Sequence, residues 1–253
     1  MTFTKDELER YSRQIGIKGW GEESQKLLKD SRVFAAGAGG LGSPVLSYLG
    51  AAGVGNITIC DNDKVSLSNL NRQFLHNTES LGRLKTESAF DTLSRLNPEI
   101  KINAVNTTIT PENCDDLIRG HDIVMDCLDN FTTRHIVNKS CVRLGIPLFH
   151  GGVSGFHGQI AVTIPPATPC LSCFLPGEEN EKTVYVCGAS AGVIGSMQSI
   201  AALKYLTNID RDSILNRIIF WDGLSMTMES VNVIKNPECS VCKDTVSVAY
   251  NNI

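Results

Sequence analysis

The sequence predicts an α/β protein: a Rossmann-like, mainly parallel sheet flanked by helices, followed by a mixed or antiparallel part. Two observations lead to this prediction. Between residues 33 and 127, short apolar runs alternate with helix-period segments, which is the pattern of successive βαβ units. After Pro147 that alternation stops, and strand-like stretches at 156–164 and 218–233 surround a helical segment at 190–206.

Two helices precede the first strand. Thr4 and Glu7 have the spacing of a capping box, which predicts a short, mostly exposed helix to about Gln14, and a second helical stretch covers 22–29. The elements that follow alternate in type: strand 33–36, helix 45–52, strand 56–60, helix 83–96, strand 102–105, a helix after Pro111 and strand 122–127. The first crossover is short enough for a right-handed βαβ unit.

Composition argues against several classes of protein. The 253 residues are 42% hydrophobic, which is enough to fill the core of one large α/β domain. Lys plus Arg number 23 and Asp plus Glu number 27, so the net charge of −4 lacks the basic excess of a nucleic-acid-binding surface. The N-terminus is polar and acidic, and no apolar stretch reaches membrane-spanning length. We therefore expect a cytoplasmic protein that binds neither nucleic acid nor membrane.

A glycine-rich turn lies between the first strand and the helix after it. Residues 37–42 read GAGGLG, which satisfies GxGxxG, and Asp61 follows about 20 residues later. Glycines let the backbone turn sharply and bring its N–H groups close to phosphate oxygens at the start of a helix. The alternative is a turn that only connects a buried strand to a helix. Since a carboxylate at Asp61 suits the ribose of NAD and ATP alike, the turn predicts a nucleotide without choosing between them.

The segment 61–73 and the residues after it favour ATP. This segment places acids, amides and Arg72 beyond the end of a strand, where open α/β sheets bind ligands, and Lys85 follows on the next helix. Two cations suit a triphosphate whose α-phosphorus gains negative charge during attack. A second strand end carries Asp129, which is well placed to hold Mg²⁺. Alternatively, the two cations are solvated surface charges, and Asp129 and Asn130 cap the next helix.

The nine cysteines fall into two groups. Their odd number and the absence of an export signal argue against a disulfide framework. Four lie among apolar neighbours and are typical core residues: Cys60, Cys114, Cys127 and Cys141. Two CxxC pairs about 66 residues apart, Cys170 with Cys173 and Cys239 with Cys242, offer four thiolates for a structural zinc site. A redox dithiol or unrelated surface thiols are the alternatives.

Several strings of residues carry a resemblance to a known family. They are RYSRQ (10–14), GAGGLG (37–42), DNDKVSLSNLNRQ (61–73), DCLDNFTTR (126–134) and GVIGSMQS (192–199), together with Lys85. From about Leu8 to Cys242, their order resembles that of the E1-like adenylating enzymes of the MoeB, ThiF and HesA group. Many members of that group also carry the pair of CxxC motifs.

The resemblance implies an ATP-dependent adenylyltransferase. In this family, the C-terminal Gly-Gly carboxylate of a small ubiquitin-like sulfur-carrier protein attacks the α-phosphate of ATP. The products are acyl-AMP and pyrophosphate, ahead of thiocarboxylate formation in the synthesis of cofactors or sulfur metabolites. Such a reaction requires neutralised charge and an aligned attack more than proton transfer, so no His or Ser base is expected. The sequence carries no rhodanese-like domain, and we therefore expect a separate sulfur donor.

The resemblance also implies roles for individual residues. It assigns Asp61 to the ribose, Asn69 and Arg72 to the phosphates, Lys85 to the outer phosphates and Asp129 to Mg²⁺. Arg13 would reach the ATP from the partner protomer of a homodimer. The other candidates for nucleotide binding are Gly40, Asp63, Ser68, Gln73 and Asn130. In organisation, the resemblance implies one adenylation domain over 1–253, with N-terminal helices (1–30), a nucleotide-binding part (31–165) and a crossover and zinc-binding part (166–253).

Cys187 is a further catalytic candidate. It lies in a stretch that, in the family, crosses over the substrate tail and in some members holds a cysteine that joins the activated carrier. A thiol close to a predicted helix start can be acidified and reactive, whereas the alternative is a buried or idle cysteine.

Three other functions stay open from the sequence. The same adenylation can act on a small-molecule or tRNA-borne carboxylate, as in dehydratase relatives of the family. A nicotinamide-dependent oxidoreductase fits the glycine turn and Asp61, but it leaves Arg72, Lys85 and both CxxC pairs unexplained. A non-catalytic scaffold would keep the sheet and the zinc without turnover.

Overall fold

The structure is a computed structural model that describes residues 3–175 and 184–245. Its strands are β1 (Arg32–Ala36), β2 (Asn56–Cys60), β3 (Lys101–Val105), β4 (Ile123–Asp126), β5 (Leu148–Ser154), β6 (His157–Thr163), β7 (Arg217–Asp222) and β8 (Thr227–Asn232). Its helices are α1 (Lys5–Ile15), α2 (Gly21–Asp30), α3 (Gly42–Ala52), α4 (Lys85–Leu96), α5 (Cys114–Ile118), α6 (Phe131–Leu144), α7 (Leu171–Phe174) and α8 (Gly188–Leu206). Two 3-10 turns cover Leu67–Asn69 and Thr78–Ser80.

The strands form one eight-stranded sheet in the order β3-β2-β1-β4-β5-β6-β7-β8. Pairing is parallel from β3 to β5 and antiparallel from β5 to β8, which confirms the predicted mixed, Rossmann-like fold. Ala36 of β1 is aligned with Cys60 of β2 and Asp126 of β4. Because these parallel strands end side by side, the loops that follow them meet at one edge of the sheet.

The alternation of side chains along β1 divides the core into two layers. Val33 and Ala35 belong to the layer with α3, α4 and α8, whereas Phe34 and Ala36 belong to the layer with α5 and α6. Successive side chains of a strand point to opposite faces, so a run of apolar residues is required when helices cover both.

Helix α1 begins at the predicted capping box. The backbone N–H of Glu7 donates to Oγ1 of Thr4 at 3.1 Å, and the N–H of Thr4 donates to Oε2 of Glu7 at 2.8 Å. The helix packs against the C-terminal end of α3, where Nε2 of Gln14 donates to the carbonyl oxygen of Ala52 at 2.7 Å. Helix α1 therefore lies at the end of α3 opposite the glycine turn.

Two features of the C-terminal half differ from the sequence prediction. Strand β5 was not predicted, because its Gly151 and Gly152 weaken the strand pattern. A Cβ at Gly151 would collide with the side-chain amide of Gln198, so α8 requires glycine there. The stretch 218–233 is a hairpin rather than one strand, since Oδ1 of Asp222 accepts from the N–H of Leu224 at 2.9 Å and starts the turn.

Within the residues that the structure describes, no helix is both long and apolar enough to cross a membrane.

Candidate nucleotide site and cysteine cluster

The glycine turn is tightly packed between strands and helix. Gly37 has φ of +102°, and a Cβ there would lie 2.8 Å from the carbonyl oxygen of Cys127. A Cβ at Gly42 would collide with the carbonyl oxygen of Gly37. Both positions therefore require glycine, one for its left-handed backbone and both for the close approach of another main chain. The turn leads directly into α3, whose N-terminus is suited to binding an anion.

Asp61 follows β2 and orients the turn. Its Oδ2 accepts from the N–H of Ala38 at 2.8 Å, and its Oδ1 accepts from the N–H of Asp63 at 2.8 Å. Each oxygen keeps a second lone pair, because a carboxylate oxygen can accept two hydrogen bonds. The residue predicted to bind a ribose is thus held rigidly beside the turn with acceptor capacity left.

His76, which no sequence pattern singles out, contacts the carbonyl group of the same residue, Ala38. Its ring is buried, with Nε2 3.0 Å from the carbonyl oxygen of Ala38 and Nδ1 3.0 Å from Oγ of Ser88 on α4. A carbonyl oxygen only accepts, so Nε2 carries the hydrogen. Burial lowers the pKa of His76, and Lys85 lowers it further, which keeps the ring neutral. The glycine turn is thereby tied to α4.

The segment 66–73, which contains the 3-10 turn Leu67–Asn69, lies beside the glycines. Oδ1 of Asn69 accepts from the N–H of Ser66 at 3.1 Å, and Oγ of Ser68 lies 3.0 Å from Oγ of Ser66. Nη1 of Arg72 donates to the carbonyl oxygen of Ser68 and to Oδ1 of Asn71, both at 2.9 Å. These local bonds fix the directions in which the polar side chains face the sheet edge.

Arg72 and Gln73 contact the glycine turn itself. A Cβ at Gly40 would lie 3.5 Å from Cγ and Cδ of Arg72, so the arginine stem packs on the turn. Gln73 lies beside Gly39 and is only 4% exposed, yet its Oε1 atom is buried without a hydrogen-bond partner. A buried acceptor without a partner is costly in an isolated protein and fits a ligand donor at this position.

Lys85 is the first residue of α4 and is almost fully buried, at 6% exposure. Its Nζ lies 2.8 Å from Oδ2 of Asp63, a mostly exposed carboxylate. The interpretation of Lys85 as a solvated surface charge is therefore wrong, because a lysine that deep needs an anionic partner.

Asp129 and Asn130 follow β4 at the same sheet edge. Oδ1 of Asn130 accepts from the N–H of Thr133 at 2.9 Å, so the capping interpretation is confirmed for the asparagine. Asp129 is exposed, and it belongs to no cluster of three or more metal-ligating side chains within residues 3–175 and 184–245. A magnesium ion that is held by a single carboxylate takes its remaining ligands from substrate phosphates and water.

A buried charge cluster supports the loop that carries Asp129. Oδ2 of Asp126 lies 3.0 Å from Nε of Arg134 and 2.7 Å from Nδ1 of His150. Burial raises the pKa of Asp126, but the charge of Arg134 and the hydrogen bond from His150 outweigh it and leave that pKa below its ordinary value. Nη2 of Arg134 donates to the carbonyl oxygens of Leu128 and Gly151, at 2.5 and 3.1 Å. The loop is therefore anchored on both strands that flank it.

Helix α8 also begins at this edge. A Cβ at Gly188 would collide with the carbonyl oxygen of Asn71. The Cβ of Ala191 lies 3.6 Å from the point that a Cβ would occupy at Gly40. Cys187 is the half-buried N-cap of α8, and its N–H donates to the carbonyl oxygen of Gly155 at 3.0 Å. The predicted crossover stretch thus reaches the nucleotide site at its end, whereas residues 176–183 lie outside the described part of the chain.

The two CxxC pairs converge as predicted. The four sulfur atoms of Cys170, Cys173, Cys239 and Cys242 lie within 4.8 Å of one another. Two of the S···S distances are 3.7 Å (Cys170 to Cys239) and 3.4 Å (Cys173 to Cys242). Tetrahedral zinc with Zn–S bonds of about 2.3 Å places its sulfurs about 3.8 Å apart, so the donor set fits this metal. The four cysteines predicted to be core residues are buried: Cys60, Cys114, Cys127 and Cys141.

Within one protomer, Arg13 does not lie at the candidate nucleotide site. It is exposed on α1, beside the Gln14 that binds the C-terminal end of α3. The glycine turn lies at the N-terminal end of α3, and an 11-residue helix is roughly 16 Å long. The structure therefore separates Arg13 from the nucleotide site of its own chain.

Comparison with known proteins identifies the family. The model of the ThiF family matches residues 11–241. The chain belongs to the ThiF family. It is 41% identical over 242 residues to the molybdopterin-synthase adenylyltransferase of Escherichia coli K12, covering 93% of this chain and 96% of that one. It is 39% identical over 250 residues to the SAMP-activating enzyme E1 of Haloferax volcanii, covering 96% and 92%.

Solved structures share the fold of this ThiF-family chain. The crystal structure of E. coli MccB with ATP superposes with a TM-score of 0.85 at 25% identity, covering 93% of this chain and 75% of MccB. The resemblance inferred from the sequence strings is thereby confirmed. Of the predicted site, the ThiF-family structure brings together the glycine turn, Asp61, Arg72, Gln73 and Lys85. His76 and His150 were missed, because an isolated His in a sequence has no local pattern. Arg134 ends the string DCLDNFTTR, but its role as a buried ion-pair partner was not predicted.

Proposed function

We propose that this ThiF-family chain uses Mg²⁺ and ATP to adenylate the C-terminal Gly-Gly carboxylate of a small ubiquitin-like sulfur-carrier protein. The observation that carries this proposal is the buried Lys85, which shares one sheet edge with the glycine turn and Arg72. Several relatives are named for this type of activity, among them a sulfur carrier protein adenylyltransferase of Thermus thermophilus that is 39% identical over 255 residues.

The chemistry follows from the charges at that edge. A carboxylate oxygen of the carrier attacks the α-phosphorus of ATP, a new P–O bond forms, and the bond to the β-phosphate oxygen breaks to release pyrophosphate. The protein neutralises charge and aligns the attack, and no side chain has to move a proton. Arg72 and Asn69 bind the phosphates near the α-position, and Lys85 leaves Asp63 to bind the outer phosphates. Asp61 accepts hydrogen bonds from the ribose hydroxyls.

The other nucleotide contacts come from the surrounding turns. Gly40 allows the backbone to approach the phosphates, and Gln73 offers its buried acceptor to a donor group of the nucleotide. Ser68 and the side-chain amide of Asn130 complete the polar wall. Asp129 is assigned to Mg²⁺, which would neutralise the outer phosphates when bound.

The nucleotide site is completed by a second copy of the chain. Arg13 lies too far from its own glycine turn, and a homodimer allows it to reach the ATP of the partner protomer. A two-fold dimer presents both arginines at once, because each protomer then donates α1 to the other.

The remaining assignments concern the rest of the domain. Zinc binds the four clustered cysteines and links the segment 239–242 to the segment 170–173. Both segments belong to one adenylation domain that spans 1–253. The thiolates must stay reduced to bind zinc, which supports a location in the cytoplasm. A separate donor delivers sulfur to the activated carrier, and Cys187 is the candidate nucleophile for a covalent intermediate at the start of α8.

The decisive experiment is ATP-pyrophosphate exchange with purified carrier proteins that end in Gly-Gly. We expect exchange that requires both the carrier and Mg²⁺, together with an AMP adduct at the carrier C-terminus in mass spectra. The matched control is the same carrier without its last two glycines, which supports no exchange. Absence of exchange with every Gly-Gly-ended carrier would overturn the proposal.

A further inference from the structure

Asn138 lies on α6, facing residues 170–173, which comprise the first cysteine pair and the start of α7 and are called the cysteine loop below. It is fully buried, and all of its polar atoms have partners. Oδ1 accepts from the N–H of Leu171 at 3.0 Å, and Nδ2 donates to Oγ of Ser172 at 3.1 Å and to Sγ of Cys170 at 3.7 Å. One side chain thus binds three consecutive residues of the loop 170–173.

The hydrogen bond from Nδ2 of Asn138 to Sγ of Cys170 is suited to stabilising a metal-bound thiolate. A metal-bound thiolate carries negative charge, and an N–H donor aimed at the sulfur stabilises that charge and fixes the direction of the ligand. Loss of a hydrogen-bond partner of a metal ligand typically weakens metal binding by about 10- to 100-fold. No other hydrogen bond from outside the four cysteines to Cys170 Sγ is found in the described chain.

His135, one turn earlier on α6, extends the same contact. Its Nδ1 lies 3.1 Å from Oγ of Ser172, which also accepts from Asn138. Residues three apart on a helix share a face, so this face of α6 is directed at the cysteine loop. Asn138 is the member of the pair that reaches the sulfur.

The same helix holds the nucleotide-site loop. Arg134 lies four residues before Asn138, and its guanidinium donates to the carbonyl oxygens of Leu128 and Gly151. Asn130 caps the start of α6 directly after Asp129. Helix α6 is therefore anchored to the loop of Asp129 at its beginning and to the cysteine loop through Asn138.

We propose that Asn138 is a positioning residue that orients Cys170 toward the bound metal and, through α6, couples the metal centre to the loop that carries Asp129. This inference rests on the proposed zinc binding and on the proposed nucleotide site. It predicts that the metal contributes to nucleotide affinity although the cysteines do not contact the nucleotide.

The first test compares two variants with one control. Asn138→Asp keeps the acceptor for Leu171 but loses the N–H donor to Cys170, and Asn138→Ala loses both. Asn103→Asp on β3 is the matched control, because Asn103 is exposed at the far edge of the sheet. We measure zinc content and the affinity for zinc by competition with a chromophoric chelator. Both Asn138 variants should bind zinc roughly 10- to 100-fold more weakly than wild type and the control.

The outcomes separate orientation of the sulfur from simple packing. Wild-type zinc affinity in Asn138→Asp would overturn the orienting role, because that variant loses both N–H donors of Nδ2 and places a carboxylate beside the Cys170 sulfur. If Asn138→Ala fails to fold, Ser172→Ala supplies the second comparison. Ser172→Ala removes the other acceptor of Nδ2 and should weaken zinc binding less than Asn138→Asp.

The second test examines the coupling in unaltered protein. Zinc is removed from the wild-type chain with the chelator, folding is verified by circular dichroism, and ATP binding is measured by calorimetry with Mg²⁺ present. ATP affinity should fall by roughly fivefold or more and return when zinc is restored. Unchanged ATP affinity in the folded, zinc-free protein would overturn the coupling. Wild-type protein without zinc would overturn the zinc assignment and this inference together, while pyrophosphate exchange tests the adenylation independently.

Discussion

The ammonium group of Lys85 lies 2.8 Å from the carboxylate of Asp63, and the two side chains differ sharply in exposure, at 7% for the lysine and 62% for the aspartate. A buried cation requires a partner, whereas an exposed carboxylate is well solvated without one. An entering triphosphate can therefore replace Asp63 beside Lys85 at little cost. In the proposed function, the pair keeps the lysine oriented until the nucleotide binds.

The first prediction concerns Lys85→Met. Pyrophosphate exchange should fall by roughly 10²- to 10³-fold, because a preorganised cation that stabilises developing phosphate charge has an effect of this size. Lys101→Met is the control, since Lys101 is exposed at the opposite end of the parallel strands. Equal exchange rates in the two variants would refute the phosphate role of Lys85.

The second prediction concerns Asp129→Asn. Loss of the carboxylate should raise the Mg²⁺ concentration required for half-maximal exchange, because the metal loses its only assigned protein ligand. Exchange is measured across a Mg²⁺ titration at saturating ATP. Asp116→Asn, an exposed change on α5, should leave the titration curve unchanged. A variant of Asp129 with the wild-type curve would contradict the assignment.

The third prediction concerns Arg13 and the dimer. Arg13→Ala and Lys85→Met should each be nearly inactive alone, but an equal mixture after subunit exchange should regain about a quarter of wild-type exchange. Half of the dimers are then mixed, and each mixed dimer contains one intact site. A mixture no more active than its parents would show that Arg13 does not act in the partner's site.

The fourth prediction compares two glycines of positive φ. Gly37 (φ of +102°) meets the carbonyl oxygen of Cys127, whereas a Cβ at Gly82 (φ of +80°) would point into open space. Both Ala variants incur backbone strain, but only Gly37→Ala adds a steric collision. Its free energy of unfolding in urea should fall by about 1–3 kcal/mol more than that of Gly82→Ala. Equal losses would mean that the turn relaxes freely.

The fifth prediction concerns stability in acid. Burial lowers the pKa of His150 from its ordinary value of 6.5, and Arg134 lowers it further. Burial is also the largest cause of the lowered pKa values of His76, His121 and His135. These rings take up protons more readily in the unfolded chain than in the folded protein, so the free energy of unfolding should decrease as the pH falls below about 6.5. Each such histidine can add up to about 1.4 kcal/mol per pH unit.

The contribution of His150 is measured by the slope of the free energy of unfolding against pH, rather than by the free energy of unfolding at one pH. His150→Gln should reduce the dependence of the free energy of unfolding on pH between about 6.5 and 5. The change Asn103→Gln, at an exposed position of β3, removes no titratable group and should leave that slope unaltered. If the His150 variant keeps the full slope, the ring does take up a proton in the folded protein.

Local patterns predicted most of the fold and the polar half of the site. Some features depend only on residues that are neighbours in the chain, so they can be recognised in the sequence. Examples are the capping of α1 at Thr4, the apolar run of β1 and the glycines of residues 37–42. The turn at 223–226 and strand β5 were not predicted. The turn depends on a single Asx contact that does not interrupt the apolar pattern of 218–233, and β5 depends on a contact of Gly151 with α8, which is distant in the chain.

The sequence by itself determined the family, the glycine turn, the cations and acids that follow it and the two cysteine pairs, because each is a string of adjacent residues. Only the tertiary structure decided that Lys85 is buried against Asp63, that Asn130 caps α6, and that Arg13 lies at the wrong end of α3 for its own site. It also revealed that Asn138 joins the cysteine loop to α6. These relationships link residues that are distant in the chain or depend on burial, and distance and burial exist only once the sheet and helices have packed.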